Sequence, residues 1–205
     1  MHLVPWIVGS GADGVVQATL SSCGPFIGLA PLAPQRGYNE KWAEGCISFN
    51  DSVLEYLKSA ESVKVVVLSS PFKSYLDSNA HSFKRKSLGS GFEVISGGAA
   101  VALDVMESTI DKLHSIGKKV VIVGPPPSGG FDMGLCAERM DAGLIAMGSA
   151  KGCKFSIDTY HKISSGVSGF LKEVSLASNI NILSFEDYLC EEVYCNAYVG
   201  GVFIY

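Results

Sequence analysis

Two runs of β-branched residues constrain the fold more than anything else in this chain. Val63-Lys64-Val65-Val66-Val67-Leu68 and Lys119-Val120-Val121-Ile122-Val123-Gly124 are almost continuously apolar. A strand with one wet face alternates apolar and polar residues, whereas a strand buried on both faces does not. Each run is closed by turn residues, Ser69-Ser70-Pro71 after the first and Pro125-Pro126-Pro127 after the second. Shorter β-rich runs, Val15–Leu20 and Asn181–Phe185, are predicted as further strands.

Helical stripes separate these runs. Asn50-Asp51 can cap a helix whose Val53, Leu54 and Leu57 share a face. Ser96 precedes a stripe of Ala102, Met106, Thr109, Ile110, Leu113 and Ile116 that stops at Gly117. Further helices are predicted over 134–149 and 158–178, the latter with Tyr160, Ile163, Val167, Phe170, Leu171 and Val174 in register. Strands alternating with helices predict an α/β fold, a parallel sheet covered on both faces. Residues 24–40, with Pro25, Pro31 and Pro34, read as a long surface loop. Residues 73–95 read as a solvated loop or hairpin carrying the basic triplet Lys84-Arg85-Lys86.

Composition narrows the function classes. The chain has 205 residues, 47% hydrophobic and 18% charged, which suits a folded domain with a sizeable core. Its net charge of −4 gives no reason to invoke nucleic acid. No stretch approaches the roughly 18–20 apolar residues of a membrane span, and no signal peptide is recognisable. The six cysteines are Cys23, Cys46, Cys136, Cys153, Cys190 and Cys195. Their number alone suits scattered thiols, while their placement in turn-rich connections suits three disulfides, most simply in sequence order. Both readings stay open on the residues alone. No zinc pattern is present, and the sequence calls for no metal and no cofactor.

Ligands of open α/β sheets bind beyond the carboxyl ends of the strands. Here those ends are Ser21-Ser22, Ser69-Ser70-Pro71, Gly124-Pro125 and Phe185-Glu186-Asp187. Gly9-Ser10-Gly11-Ala12-Asp13-Gly14 precedes a strand where a phosphate loop would follow one, so it reads as a turn. A serine nucleophile needs a base and an orienting carboxylate. Of the four histidines, His114 and His161 fall within predicted helices, and His81 lies in the polar loop. Glu186 and Asp187 suit a capping role at a following short helix. Ser22, Ser69 and Ser70 are candidates for lining a pocket or an oxyanion site, and no catalytic residue is assigned.

Several segments together resemble the SGNH-type domain attached to membrane-bound acyltransferases of family 3, the sugar and cell-wall O-acetyltransferases. Gln17-Ala18-Thr19-Leu20-Ser21-Ser22-Cys23-Gly24-Pro25-Phe26 is similar to a family strand running into Ser-Cys-Pro-Pro, and Gly45-Cys46-Ile47-Ser48-Phe49-Asn50 to a Cys-x-x-Phe-Asn helix entry. Lys64 through Phe72 resembles a strand that usually ends Ala-Ala-Arg-Trp, from which Pro71-Phe72 departs. Lys118–Pro127 with Phe131-Asp132 and Cys136 resembles the later strand and its proline loop. Ile182–Phe185 through Cys190 and Cys195 resembles the final strand and cysteine pair.

The resemblance implies a three-layer, SGNH-hydrolase-like (flavodoxin-like) sandwich with a mostly parallel sheet. It implies a single SGNH-like domain over 1–205, incomplete at both termini and lacking its first strand. The family's nucleophile motif Gly-Asp-Ser-His and its Asp-x-x-His motif are not in this sequence, so His2 matches no catalytic position and the chain by itself is expected to be inactive. The implied partners are a membrane-embedded acyltransferase domain of the same parent protein and a carbohydrate acceptor, on the extracytoplasmic side. A second reading is a noncatalytic α/β module that binds carbohydrate or protein, with Trp6, Trp42 or Tyr75 lining its pocket.

Extracytoplasmic domains keep disulfides, so the resemblance implies Cys23–Cys46, Cys136–Cys153 and Cys190–Cys195. A loop of some 15–25 residues closed in this way gains roughly 3 kcal/mol in the chain-entropy account. A thiol titration of the unreduced, denatured chain should find no free thiol. Six free thiols would contradict the pairing.

Overall fold

A computed structural model of the chain describes residues 14–76, 82–87, 89, 91–144, 152–199 and 202–203. The chain divides into two compact units, the larger made of Leu20–Pro125 and Gly166–Leu183.

The larger unit holds both runs that dominate the sequence. Strands β1 (Leu29–Leu32), β2 (Val65–Ser69), β3 (Ser82–Lys86), β4 (Phe92–Ser96), β5 (Lys119–Val123) and β7 (Ile182–Leu183) lie in it. Its helices are α1 (Glu40–Ser59), α2 (Lys73–Leu76), α3 (Ala99–Ser115) and the Gly166–Ser178 part of α5 (Ile157–Ser178). β2, β5 and β7 pair in parallel, in that order, with Val66 opposite Val120 and Leu68 opposite Ile122. Parallel neighbours need long crossovers, and here the β3–β4 hairpin with α3 supplies the first.

Alternation along the strands decides what is buried. Leu68, Val120 and Ile122 point into the main core, against Met106, Ile110 and Leu113 of α3 and Phe170, Leu171 and Val174 of α5. On the other face Val65 and Val67 are 49% and 40% exposed. Among the described residues, then, cover is found on one face of β2 and not on both. The sheets are also small and mixed. A second three-stranded sheet, β1-β3-β4, is antiparallel throughout.

Four local expectations need correction. Val15–Leu20 forms no strand; Val16 is exposed and no ladder partner is present among the described residues, and an unpaired run has nothing to hold it extended. The strand lies instead within the expected loop, as β1, whose four residues are all buried. Pro31 is tolerated there because β1 is an edge strand of its sheet. Helix α1 begins well before the expected cap at Asn50-Asp51 and is capped by Asn39, whose side chain accepts the Trp42 N–H at 2.9 Å. The basic triplet is not merely solvated. Lys84 is buried and paired with Glu40 and Glu44, Arg85 with Glu93 and Lys86 with Asp51.

Buried Lys118 closes the far end of α1. Its ammonium donates to the carbonyls of Ala60 at 2.8 Å and Val63 at 2.9 Å, which ties down the turn that follows the helix.

The smaller unit comprises Met1–Thr19, Pro126–Ser165 and Ser184–Tyr205. It holds α4 (Met133–Asp141), the start of α5, α6 (Glu186–Leu189), and the short strands β6 (Phe155–Ser156), β8 (Tyr194–Cys195), β9 (Tyr198–Val199) and β10 (Val202–Phe203). β6 pairs with β8 and β9 with β10, both antiparallel. Its core is Met133, Cys136, Cys153, Phe155, Tyr160, Cys195 and Ala197. Helix α4, capped by the Asp132 side chain, ends at Asp141, short of the 149 read from the sequence, and Gly143 turns the chain at a φ of 69°. Gly129 sits against Phe131 and Phe155, where an added Cβ would come within 2.6–2.7 Å of their rings.

Candidate functional site

The candidate serines lie on two loops of the larger unit, and the structure joins these loops through a buried cluster. The first loop runs from Leu20 to Gly28. Its turn is closed by the Cys23 N–H donating to the Leu20 carbonyl at 3.1 Å, with exposed Ser22 in the left-handed region at a φ of 61°. The second loop leaves β2 at Ser69. Ser70 Oγ accepts the Phe72 N–H at 3.2 Å, a local serine turn before the short helix α2.

Phe72 is also left-handed, at a φ of 57°, and its ring is fully buried. That conformation costs roughly 1–2 kcal/mol for a residue with a Cβ. The packing offsets it: the Phe72 ring lies 6.3 Å from Phe26, edge to face, and 6.0 Å from Phe170. Two non-glycine residues in this strained region, one on each loop, fit the tendency of strain to collect at functional sites.

Four contacts fix the first loop. The Cys23–Cys46 disulfide ties it to α1, with Cα atoms 5.6 Å apart. Asn50 Nδ2 donates to the carbonyls of Gly24 at 2.9 Å and Phe26 at 3.3 Å. The Ile27 N–H donates to Thr109 Oγ1 on α3 at 3.1 Å. The Gly24 N–H donates to the Tyr75 hydroxyl at 3.1 Å. Tyr75, on the second loop's helix, stacks on Phe26 with ring centroids 3.8 Å apart. An added Cβ at Gly24 would lie 2.7 Å from the Tyr75 ring, so glycine is required by space alone.

Burial pushes the Tyr75 phenol well above its ordinary pKa, against the opposite and smaller effect of the Gly24 N–H. Tyr75 is therefore a neutral phenol at physiological pH. Its own O–H remains available toward Cys46 Sγ, 3.8 Å away.

The sequence-predicted residues divide accordingly. Ser22, Ser69 and Ser70 lie on loops that share the Phe26–Phe72–Tyr75 cluster. All three cysteine pairs form: Cys23–Cys46, and, in the smaller unit, Cys136–Cys153 and Cys190–Cys195. Trp42 packs with Tyr38, and Tyr75 is a core residue and not a pocket wall. His2, Trp6, Ser10 and His81 lie outside the described residues. His114 is exposed near the end of α3. His161 Nε2 lies 2.6 Å from Glu186 Oε1, so Glu186 engages an imidazole and caps nothing. Beside them, burial and then the Glu186 carboxylate push the Tyr160 phenol upward. Sequence reading missed the anchoring roles of Asn50, Tyr75 and Thr109. Each acts on backbone groups at least 24 positions away, which no local pattern encodes.

Among the described residues no group of His, Cys, Asp and Glu gathers as a metal site, and no helix is long and apolar enough to cross a membrane. One comparison with known proteins decides the family: the model of the SGNH domain (fused to AT3 domains) matches residues 1–205. The chain belongs to this family. No curated protein and no solved structure matches it. For an SGNH domain of this kind the coarse function follows from the family: an acyltransferase- or esterase-like module whose parent also carries a membrane acyltransferase domain.

The geometry makes Tyr75→Phe a clean test. The ring stack survives, but the buried Gly24 N–H loses its acceptor, which costs about 1–3 kcal/mol. Urea unfolding of the oxidised chain should show that loss as a lower midpoint. An unchanged midpoint would contradict the anchoring role.

Proposed function

We propose that the chain is part of an SGNH-type O-acyltransferase or esterase domain that moves an acyl group, most simply acetyl, onto a carbohydrate hydroxyl through a serine ester. The observation that carries this reading is the family match over residues 1–205. The joined loops support it, since they put Ser69 and Ser70 at the carboxyl end of a parallel strand, where open α/β sheets bind ligands. Three disulfides suit an extracytoplasmic position beside the membrane domain that would supply the acyl group. The two compact units are, on this reading, parts of one such domain.

The 205-residue chain by itself is proposed to be inactive. Of its two described histidines, His161 pairs with a carboxylate and His114 is at a helix end, and neither meets a serine hydroxyl among the described residues. Without a base, a serine hydroxyl is a weak nucleophile at neutral pH. A noncatalytic carbohydrate- or protein-binding module is the second reading, favoured by that same missing pair.

The coding frame on both sides of the chain, together with an assay, separates these. Gly-Asp-Ser-His upstream and Asp-x-x-His downstream are expected. The longer polypeptide should then hydrolyse a chromogenic acetyl ester while the 205-residue chain gives only the blank rate. Clear turnover by the chain alone would overturn its inactivity and make Ser69 and Ser10 the first residues to replace. Absence of both motifs would favour the binding module.

A further inference from the structure

A second site lies in the larger unit, away from the candidate serines, in a groove of about 490 Å3 whose lining contains none of them. That volume falls within the range of small-molecule pockets. Its floor is apolar: Ile27 before β1, Leu54 of α1 and Val105 of α3 are half-buried and keep part of their surface open to the groove. The floor is fixed by the Ile27 N–H bond to Thr109 and by the Lys86 N–H donating to the Gly28 carbonyl at 2.9 Å.

The rim is charged, and its ion pairs show which charges are already satisfied. Lys86 Nζ lies 2.6 Å from Asp51, and that carboxylate, more than any other group, holds the ammonium above its ordinary pKa. Arg85 is engaged by Glu93 at 2.7 Å, and Glu55 by Lys58 at 2.7 Å. Lys112 differs: it is the one lining cation with no ion pair among the described residues. One turn before it on the same face of α3, Ser108 lines the groove with a hydroxyl that has no hydrogen-bond partner among the described residues. Lys112 and Ser108 together offer an open cationic and donor pole.

The ligand that fits this rim can be read from what each group lacks. Lys112 calls for an anion. Asp51 and Glu55 are acceptors that already have a cationic partner each and keep lone pairs to spare, so they suit neutral donors such as hydroxyls. The apolar floor calls for a C–H face. We infer that the groove binds a sugar carrying one anionic group, a carboxylate or a phosphate ester, with that group on Lys112 and Ser108 and ring hydroxyls toward Asp51 and Glu55. The inference rests on the groove and not on the acyl-transfer reading, so either can fail without the other.

Amide NMR titration of the full 205-residue chain tests it, with D-glucuronate, a glucose phosphate ester and neutral D-glucose as probes. One or both anions should shift the amides of Gly28, Ser87 and Ser108, and the arm that responds identifies carboxylate or phosphate. Lys112→Glu should weaken that binding about tenfold, the equivalent of one charge-assisted contact. Lys172→Glu, an exposed change on α5, should leave it intact. Lys112→Gln serves if the glutamate variant disturbs the helix. Glucose shifting the same amides as strongly would overturn the inference. So would a Lys112 variant binding like the unaltered chain, or no response to any of the three probes.

Discussion

The bond from the Gly24 N–H to the Tyr75 hydroxyl is the contact on which the arrangement of the larger unit turns. It buries a phenol among Phe26, Phe72 and Phe83 and gives its oxygen a donor. A phenol left without a partner at that depth would cost several kilocalories per mole. The bond also demands that residue 24 lack a side chain and that Phe26 lie flat against the Tyr75 ring. The loop after β2 and the loop before β1 are thereby positioned by one cluster. The disulfide to α1 and the Asn50 amide then hold the Gly24 side of the contact.

This arrangement explains how a small sheet can hold the loops that carry the candidate serines. β2, β5 and β7 bury one face against α3 and α5, which fixes where their carboxyl ends emerge. The loop after β2 is then braced by the β1-β3-β4 sheet, through the stacking of Tyr75 on Phe26 and on Phe83 of β3. Lys84 shows how closely that second sheet is tied in: a buried lysine is costly unless paired, and two glutamates of α1 reach it. Their hydrogen bonds hold its pKa above the ordinary value, so the charge persists.

Much of this was readable in the residues. The parallel strands announced themselves because β-branched runs with no alternation have few other uses. The helix at Ala99–Ser115 followed from its apolar stripe, and its expected members Ala102, Met106, Ile110 and Leu113 are all buried. The cysteine pairing followed from family resemblance and not from spacing. The failures have a common cause. β1 was hidden because Pro31 looks like a strand breaker until the strand is known to lie at an edge. The early start of α1 was hidden because Asn50 looks like a cap, whereas its amide is spent on a loop brought near only by the fold. The ion pairs of Lys84, Arg85 and Lys86 depend on residues from 8 to 44 positions away, so charge clustering alone read as solvation.

The most direct test of the anchored-loop account is native-state amide hydrogen exchange on the oxidised chain. The Gly24 and Ile27 amides, bonded to Tyr75 and Thr109, should exchange as slowly as the Ile122 amide in the centre of the parallel sheet. Exchange of both at the rate of the exposed segment Gly14–Leu20 would show that the loop is not held, and would contradict the account.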